Sequence, residues 1–140
     1  MKNPQGSLLK AGTMLVTALM LSVVLWPQVS AGVEPIKVGV TVSLSGQYAA
    51  PGSEELQGIQ MWAHDLNARG ALLGRPVDIV YYDDKSDADT SAALYERLIS
   101  EDKVDLLLGP YSSGLTLAAS RVADKHNFPM VATGASSADI

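Results

Sequence analysis

Three features of the 140-residue sequence predict an α/β fold, a parallel sheet with flanking helices. Apolar runs of five to seven residues alternate with longer segments of helical periodicity, the first run shows little polar alternation, and loop formers follow the runs. Strands covered on both faces read as continuous apolar runs, and their alternation with helices implies βαβ crossovers.

The first run, Ile36 to Val42, reads IKVGVTV and is the expected first strand. Loop formers fill Ser43 to Gly52, SLSGQYAAPG, and Ser53 then precedes Glu54 and Glu55 as an N-cap with acids in the first turn. A helix is therefore expected from Ser53. Leu56, Ile59, Ala63 and Leu66 form its apolar stripe, Trp62 and His64 fall off that stripe, and Gly70 closes the helix near Arg69. After the turn Leu73-Gly74-Arg75-Pro76, Val77 to Tyr82 is a second strand ending on Asp83 and Asp84. Ser86 or Asp87 caps a second helix in which Ala92, Tyr95, Leu98 and Ile99 share a face. Val104 to Leu108 is a third strand, Gly114 to His126 a third helix, and Phe128 to Thr133 a fourth strand. In an open parallel sheet ligands sit outside the carboxyl ends of the strands, which directs attention to loops 43 to 53, 83 to 87, 109 to 114 and 133 to 138.

Lys2 and Lys10 precede an apolar run from Met14 to Trp26, followed by Pro27 and the small-residue sequence Val29-Ser30-Ala31. This is the order of a cleaved export signal covering 1–31, and 13 residues containing Thr17 and Ser22 fall short of the roughly 20 that span a bilayer. Removing Lys2 and Lys10 leaves eight basic against fifteen acidic residues, a net charge of −7 that disfavours nucleic-acid binding. Residues 32–140 are expected to work outside the cytoplasm, where ATP and nicotinamide cofactors are scarce. The absence of cysteine excludes disulfides, thiolate metal sites, cysteine nucleophiles and a lipoprotein anchor.

The loop Gly109-Pro110-Tyr111-Ser112-Ser113-Gly114 leaves a strand and enters a helix, so its hydroxyls and amides converge at the positive end of a helix dipole. It contains no Lys or Arg, so a monoanionic carboxylate suits it better than a phosphate dianion. The bland alternative is that Ser112 and Ser113 only cap the helix. Thr133 to Ser137, TGASS, forms a second polar loop at the next strand end, and its hydroxyls and carbonyls suit an ammonium group. Asp83 and Asp84 are the residue types of a magnesium or phosphoryl-acceptor site. A receiver domain wants that pair after the first strand, so a solvated turn or cap is expected instead. His64 and His126 lack partners at metal-ligand spacing, no G-x-S-x-G surrounds Ser112 or Ser113, and no phosphate-binding glycine motif occurs. Neither a cofactor, a metal nor catalysis is expected. A secreted hydrolase using Ser113 is the enzymatic alternative.

IKVGVTVSLSG at 36 to 46, LQGIQMWAHDLNARGALLGRPVDIVYYDDKSD at 56 to 87, VDLLLGPYSSGLTLAAS at 104 to 120 and FPMVATGASS at 128 to 137 together resemble a family. It is that of the periplasmic solute-binding proteins of the branched-chain amino acid type, the soluble components of ABC importers. The resemblance implies a periplasmic binding protein fold of type I, with residues 32–140 as the incomplete first of two lobes that close on a ligand. It implies a periplasmic, monomeric carrier, for an amino acid or a related small carboxylate or amide, that docks on membrane permease subunits. The alternative within the same fold is the ligand-sensing lobe of an extracellular receptor or regulator. By the same resemblance Ser113, with Ser112 beside it, meets the α-carboxylate. The Gly134 carbonyl and Ser136 hydroxyl, flanking Ala135, receive the α-ammonium. Leucine-type members often place an aromatic residue just before the glycine equivalent to Gly52; this chain has Pro51 there and Tyr48 three residues earlier, so Tyr48 is the candidate side-chain wall and the solute is left open. The missing lobe would carry the acidic counter-charge for the ammonium, and the chain alone is expected to bind poorly.

Overall fold

The structure, a computed structural model, describes residues 33–138, so the expected export signal at 1–31 lies outside the described residues. Four strands form one parallel sheet in the order β2-β1-β3-β4: β1 Ile36–Val42, β2 Val77–Asp83, β3 Leu106–Leu108 and β4 Met130–Val131. Three helices connect them, α1 Ala49–Ala68, α2 Ala88–Ser100 and α3 Ser113–Lys125. The expected α/β fold is therefore present. Register runs from Ile36 opposite Val77 to Val42 opposite Asp83, and Val38 to Val40 lie opposite Leu106 to Leu108.

Side-chain alternation along β1 sorts the core into two faces. Val38, Val40 and Val42 pack with Leu56, Ile59 and Ala63 of α1. Gly39 points the other way, where an added Cβ would stand 3.1 to 3.2 Å from Val104, Leu107 and Leu98. That side holds Tyr95 and Leu98 of α2 with Ala119, Val122 and Ala123 of α3. Because α1 covers one face and α2 and α3 the other, the chain direction reverses between β1 and β3. A crevice at the carboxyl ends of these two strands is the topological switch point.

The N-cap expected at Ser53 is displaced by five residues. α1 begins at Ala49, Tyr48 is the N-cap, and Ser53 Oγ donates to the Ala49 carbonyl at 2.7 Å instead of capping. Pro51 is tolerated because the first four amides of a helix have no intrahelical partner, and the Gly52 amide donates the first bond to Tyr48 O at 2.9 Å. Glu55 consequently sits two turns inside the helix, beneath the strand tips.

The other helix starts follow the local chemistry. Asp87 Oδ1 accepts from the Thr90 amide at 2.7 Å and caps α2. Ser86 is not the cap; its hydroxyl donates to Ser45 O at 2.7 Å and accepts from the Tyr48 amide at 3.0 Å. β3 and β4 are shorter than their apolar runs because Asp105 Oδ2 accepts from the Lys37 amide and the chain enters β4 only after Pro129.

Asp83 and Asp84 do not form a solvated turn. Asp84 is fully buried and accepts from Thr41 Oγ1 at 2.9 Å, Ser43 Oγ at 2.6 Å and the Ser86 amide at 2.9 Å. Asp83 accepts from the Leu44 and Lys85 amides and Ser45 Oγ at 2.8 to 2.9 Å. Burial alone would raise the Asp83 carboxyl, but these donors outweigh it and hold it below the ordinary carboxylate range. The pair staples loop 43–48 to the end of β2.

Candidate functional site

The loops after β3 and β4 are joined to each other. Tyr111 pairs with Gly134 in a parallel bridge beyond the strands, and the Ser112 amide donates to Gly134 O at 3.0 Å. Ser113 Oγ accepts from the Ser136 and Ser137 amides, both at 3.2 Å. Sheet pairing thus continues into the loops and brings Ser112, Ser113, Gly134, Ala135 and Ser136 to one place.

Ser112 and Ser113 have different jobs. Ser112 is the N-cap of α3, its hydroxyl accepting from the Leu115 amide at 3.4 Å. Its φ of 83° and ψ of 145° belong to a region suited to glycine, a conformation costing about 1 to 3 kcal/mol. In this conformation the Ser112 amide pairs with Gly134 O while the Ser112 carbonyl accepts the first bond of α3, from the Thr116 amide. A cap 3.4 Å long contributes little, so Ser112→Gly should raise the unfolding free energy by about 1 kcal/mol, whereas Ser112→Ala keeps the strain, loses only that weak cap and should lower it by no more than about 0.5 kcal/mol. Urea denaturation of the complete protein checks both, and a destabilised glycine variant would refute the strain.

Ser113 is no cap. A hydroxyl has two lone pairs and one hydrogen, and two amides occupy the lone pairs, so what remains to Ser113 is donation. Together with the first-turn amides of α3 this suits an anion. The Gly134 carbonyl has one lone pair taken by Ser112 and one left.

Tyr48 faces the same place from the β1 loop. Its ring meets Tyr111 edge-on with centroids 5.7 Å apart, and Gln47, Tyr48, Ser86, Ser112 and Leu115 line an adjoining pocket of about 170 Å³. Tyr48 is the wall residue expected from the sequence; Tyr111 is not among the expected site residues, although its place between Pro110 and Ser112, in a loop at a strand's carboxyl end, is a usable signal.

Glu55 was also missed as a site residue. Its Oε1 lies 2.5 Å from Thr133 Oγ1, which is itself 2.5 Å from Gly109 O, and a Cβ on Gly134 would be 3.6 Å from Glu55 Oε1. Burial pushes the Glu55 carboxyl above its ordinary range; the Thr133 hydroxyl and Tyr111 amide act against this, and Asp84 adds to it. His126, by contrast, pairs with Glu96 away from the loops, Nε2 to Oε2 at 2.6 Å.

Residues 35–139 match the sequence model of the family described as periplasmic binding protein. The chain belongs to this family. The Leu/Ile/Val-binding protein of Escherichia coli K12 is 29% identical over 107 residues, covering 76% of this chain and 29% of its own length. The Leu/Ile/Val-binding protein homolog 7 of Brucella melitensis is 34% identical over 103 residues, 71% of this chain and 25% of its own. Among solved structures, the substrate binding protein LivJ of Streptococcus pneumoniae, in complex with isoleucine, superimposes with a TM-score of 0.72 at 32% identity. The match covers 75% of this chain and 30% of LivJ. A solute binding protein of Rhodopseudomonas palustris in complex with benzoate gives 0.64 at 29% identity, covering 71% and 27%. The chain thus spans 25 to 30% of the length of these relatives.

Proposed function

We propose that residues 32–140 form part of the first lobe of a solute-binding protein, exported by the segment 1–31 and serving an ABC importer outside the cytoplasm. Its solute is an amino acid or a related small carboxylate or amide, bound at the switch point between β1 and β3. One observation carries this reading: the Ser113 hydroxyl, with both lone pairs engaged by Ser136 and Ser137, is left as a donor at a helix N-terminus, matched to a carboxylate. Two relatives with different complexes, isoleucine in one and benzoate in the other, share the carboxylate and differ in the rest of the ligand. The carboxylate is therefore assigned to Ser112, Ser113 and the α3 amides, and Tyr48 with Tyr111 to the side-chain wall. An ammonium, where the solute has one, goes to Gly134 O and Ser136. No bond-making step is assigned to Ser113, and the protein is taken to act as a monomer docking on permease subunits.

Calorimetry of the complete mature protein against amino acids and small aromatic carboxylates tests this. Ser113→Ala should weaken the best solute by about 1 to 3 kcal/mol, roughly five- to 150-fold, because the variant loses a hydrogen bond to a charged group. Unchanged affinity would reduce Ser113 to a brace for the second loop, and turnover of an ester lost in the same variant would favour the hydrolase.

A further inference from the structure

Glu55, Thr133 and Gly109 pose a question of hydrogen counting. Thr133 Oγ1 stands 2.5 Å from Glu55 Oε1 and 2.5 Å from the Gly109 carbonyl. Oxygen pairs this close need a hydrogen between them. Two such pairs need two hydrogens; the threonine hydroxyl has one and the carbonyl none. Among these three groups only Glu55, as the protonated acid, can supply the second. With it, Glu55 donates to Thr133 Oγ1 and Thr133 donates to Gly109 O, and every short contact is satisfied. Without it, two acceptors face each other with nothing between them.

The other carboxyl oxygen agrees. Glu55 Oε2 is buried and no hydrogen bond of ordinary geometry reaches it, an expensive position for charge and a tolerable one for a neutral acid; the nearby Tyr111 amide favours the charged form but does not outweigh burial. The titratable groups facing it are Asp84 from the end of β2 and the Tyr95 phenol from α2, while the Tyr111 amide comes from the β3 loop. No Lys or Arg is among the described groups that act on it.

We propose that Glu55 is a positioning residue that carries a proton in the ligand-free protein and, through Thr133, holds the turn 133–137 in register with the turn 109–113. Thr133 immediately precedes Gly134, whose carbonyl is fixed by Ser112, and Ser136 and Ser137 reach Ser113 from the same turn. When Glu55 ionises, the single Thr133 hydrogen serves either the carboxylate or Gly109, and the turn loses one anchor. A neutral acid stabilised in the fold contributes below the ordinary glutamate range and is lost as pH rises through the raised midpoint. Solute affinity should fall about two- to tenfold across that midpoint, the worth of one hydrogen bond. This last consequence rests on the binding reading above; the proton and its coupling to the turn do not.

The test uses the complete, ligand-free protein with carboxyl-¹³C glutamate and ¹⁵N serine, followed by NMR against pH, with Glu55→Gln to assign the Glu55 signal. The expected result is a Glu55 midpoint above the ordinary value of about 4.3. The Ser136 and Ser137 amides should move with the same midpoint in the wild type and stay flat in Glu55→Gln, whose side-chain N–H donates to Thr133 at every pH. Glu55→Ala should show the loosened amide positions throughout. A Glu55 midpoint at or below the ordinary value, or serine amides that ignore it, would overturn the proposal. A protein that binds none of the solutes yet shows the raised, turn-coupled midpoint would sink the binding reading and keep this one.

Discussion

Gly52→Ala in the complete protein is expected to lower the unfolding free energy by about 3 kcal/mol, although alanine is the better helix former. A Cβ on Gly52 would stand 2.2 Å from the Ser43 carbonyl oxygen and 3.0 Å from the Ser43 amide nitrogen. These are backbone atoms, so no rotamer change relieves the clash. Nor can the loop withdraw easily: Ser43 donates to Asp84, and Leu44 and Ser45 donate to Asp83. Gly58, two turns on in the same helix, supplies the control, because a Cβ there meets nothing within 4 Å. Gly58→Ala should stabilise by about 0.5 to 1 kcal/mol from propensity alone. Thermal or urea unfolding separates the pair, and stabilisation by both alanines would mean that α1 does not approach Ser43 closely. Because loop 43–48 carries Tyr48, the Gly52 variant should also bind solute less tightly.

The same contact explains where sequence reading stopped. Strands and helices were legible because each rests on signals within about fifteen residues: the β-branched run of β1, the stripe Leu56, Ile59, Ala63 and the cap at Asp87. Pro51 and Gly52 locally signal a loop, and what places them in a helix is a contact with Ser43 on the far side of the turn. The burial of Asp84 depends on Thr41 and Ser43, some forty residues away, and that of Glu55 on Thr133, seventy-eight away. Ser113 and Ser136 came within reach of sequence reasoning because they sit at adjacent strand ends, where topology alone brings them together. The strained φ of Ser112 had no sequence signal, since serine is an ordinary N-cap and the left-handed conformation is imposed by the pairing of its amide with Gly134.

Asp84→Ala is expected to cost the complete protein about 4 kcal/mol, because it strips an acceptor from three donors in a site with no access to solvent. Asparagine makes the prediction sharper. Oδ1 takes Ser43 and the Ser86 amide, while Oδ2 takes Thr41 alone. An asparagine oriented with its oxygen at the first position keeps two bonds, and its amide can donate to Thr41 Oγ1. That reverses the Thr41 hydroxyl, which can then donate to Ser91 Oγ, 3.1 Å away. Asp84→Asn should therefore cost about 1 to 2 kcal/mol, the difference between charged and neutral hydrogen bonds. Denaturant unfolding of the two variants measures the gap; equal losses would show that charge, not geometry, holds the loop. The loss should reach the proposed solute site through a short path. Asp84 fixes the Ser86 amide, and the Ser86 hydroxyl holds both Ser45 O and the Tyr48 amide, so the aromatic wall opposite Ser112 moves when the buried carboxyl is removed. Asp87→Ala, three residues further on, removes only the cap of α2. It should cost about 1 kcal/mol and leave solute affinity as it was, which separates a general loss of stability from loss of the loop.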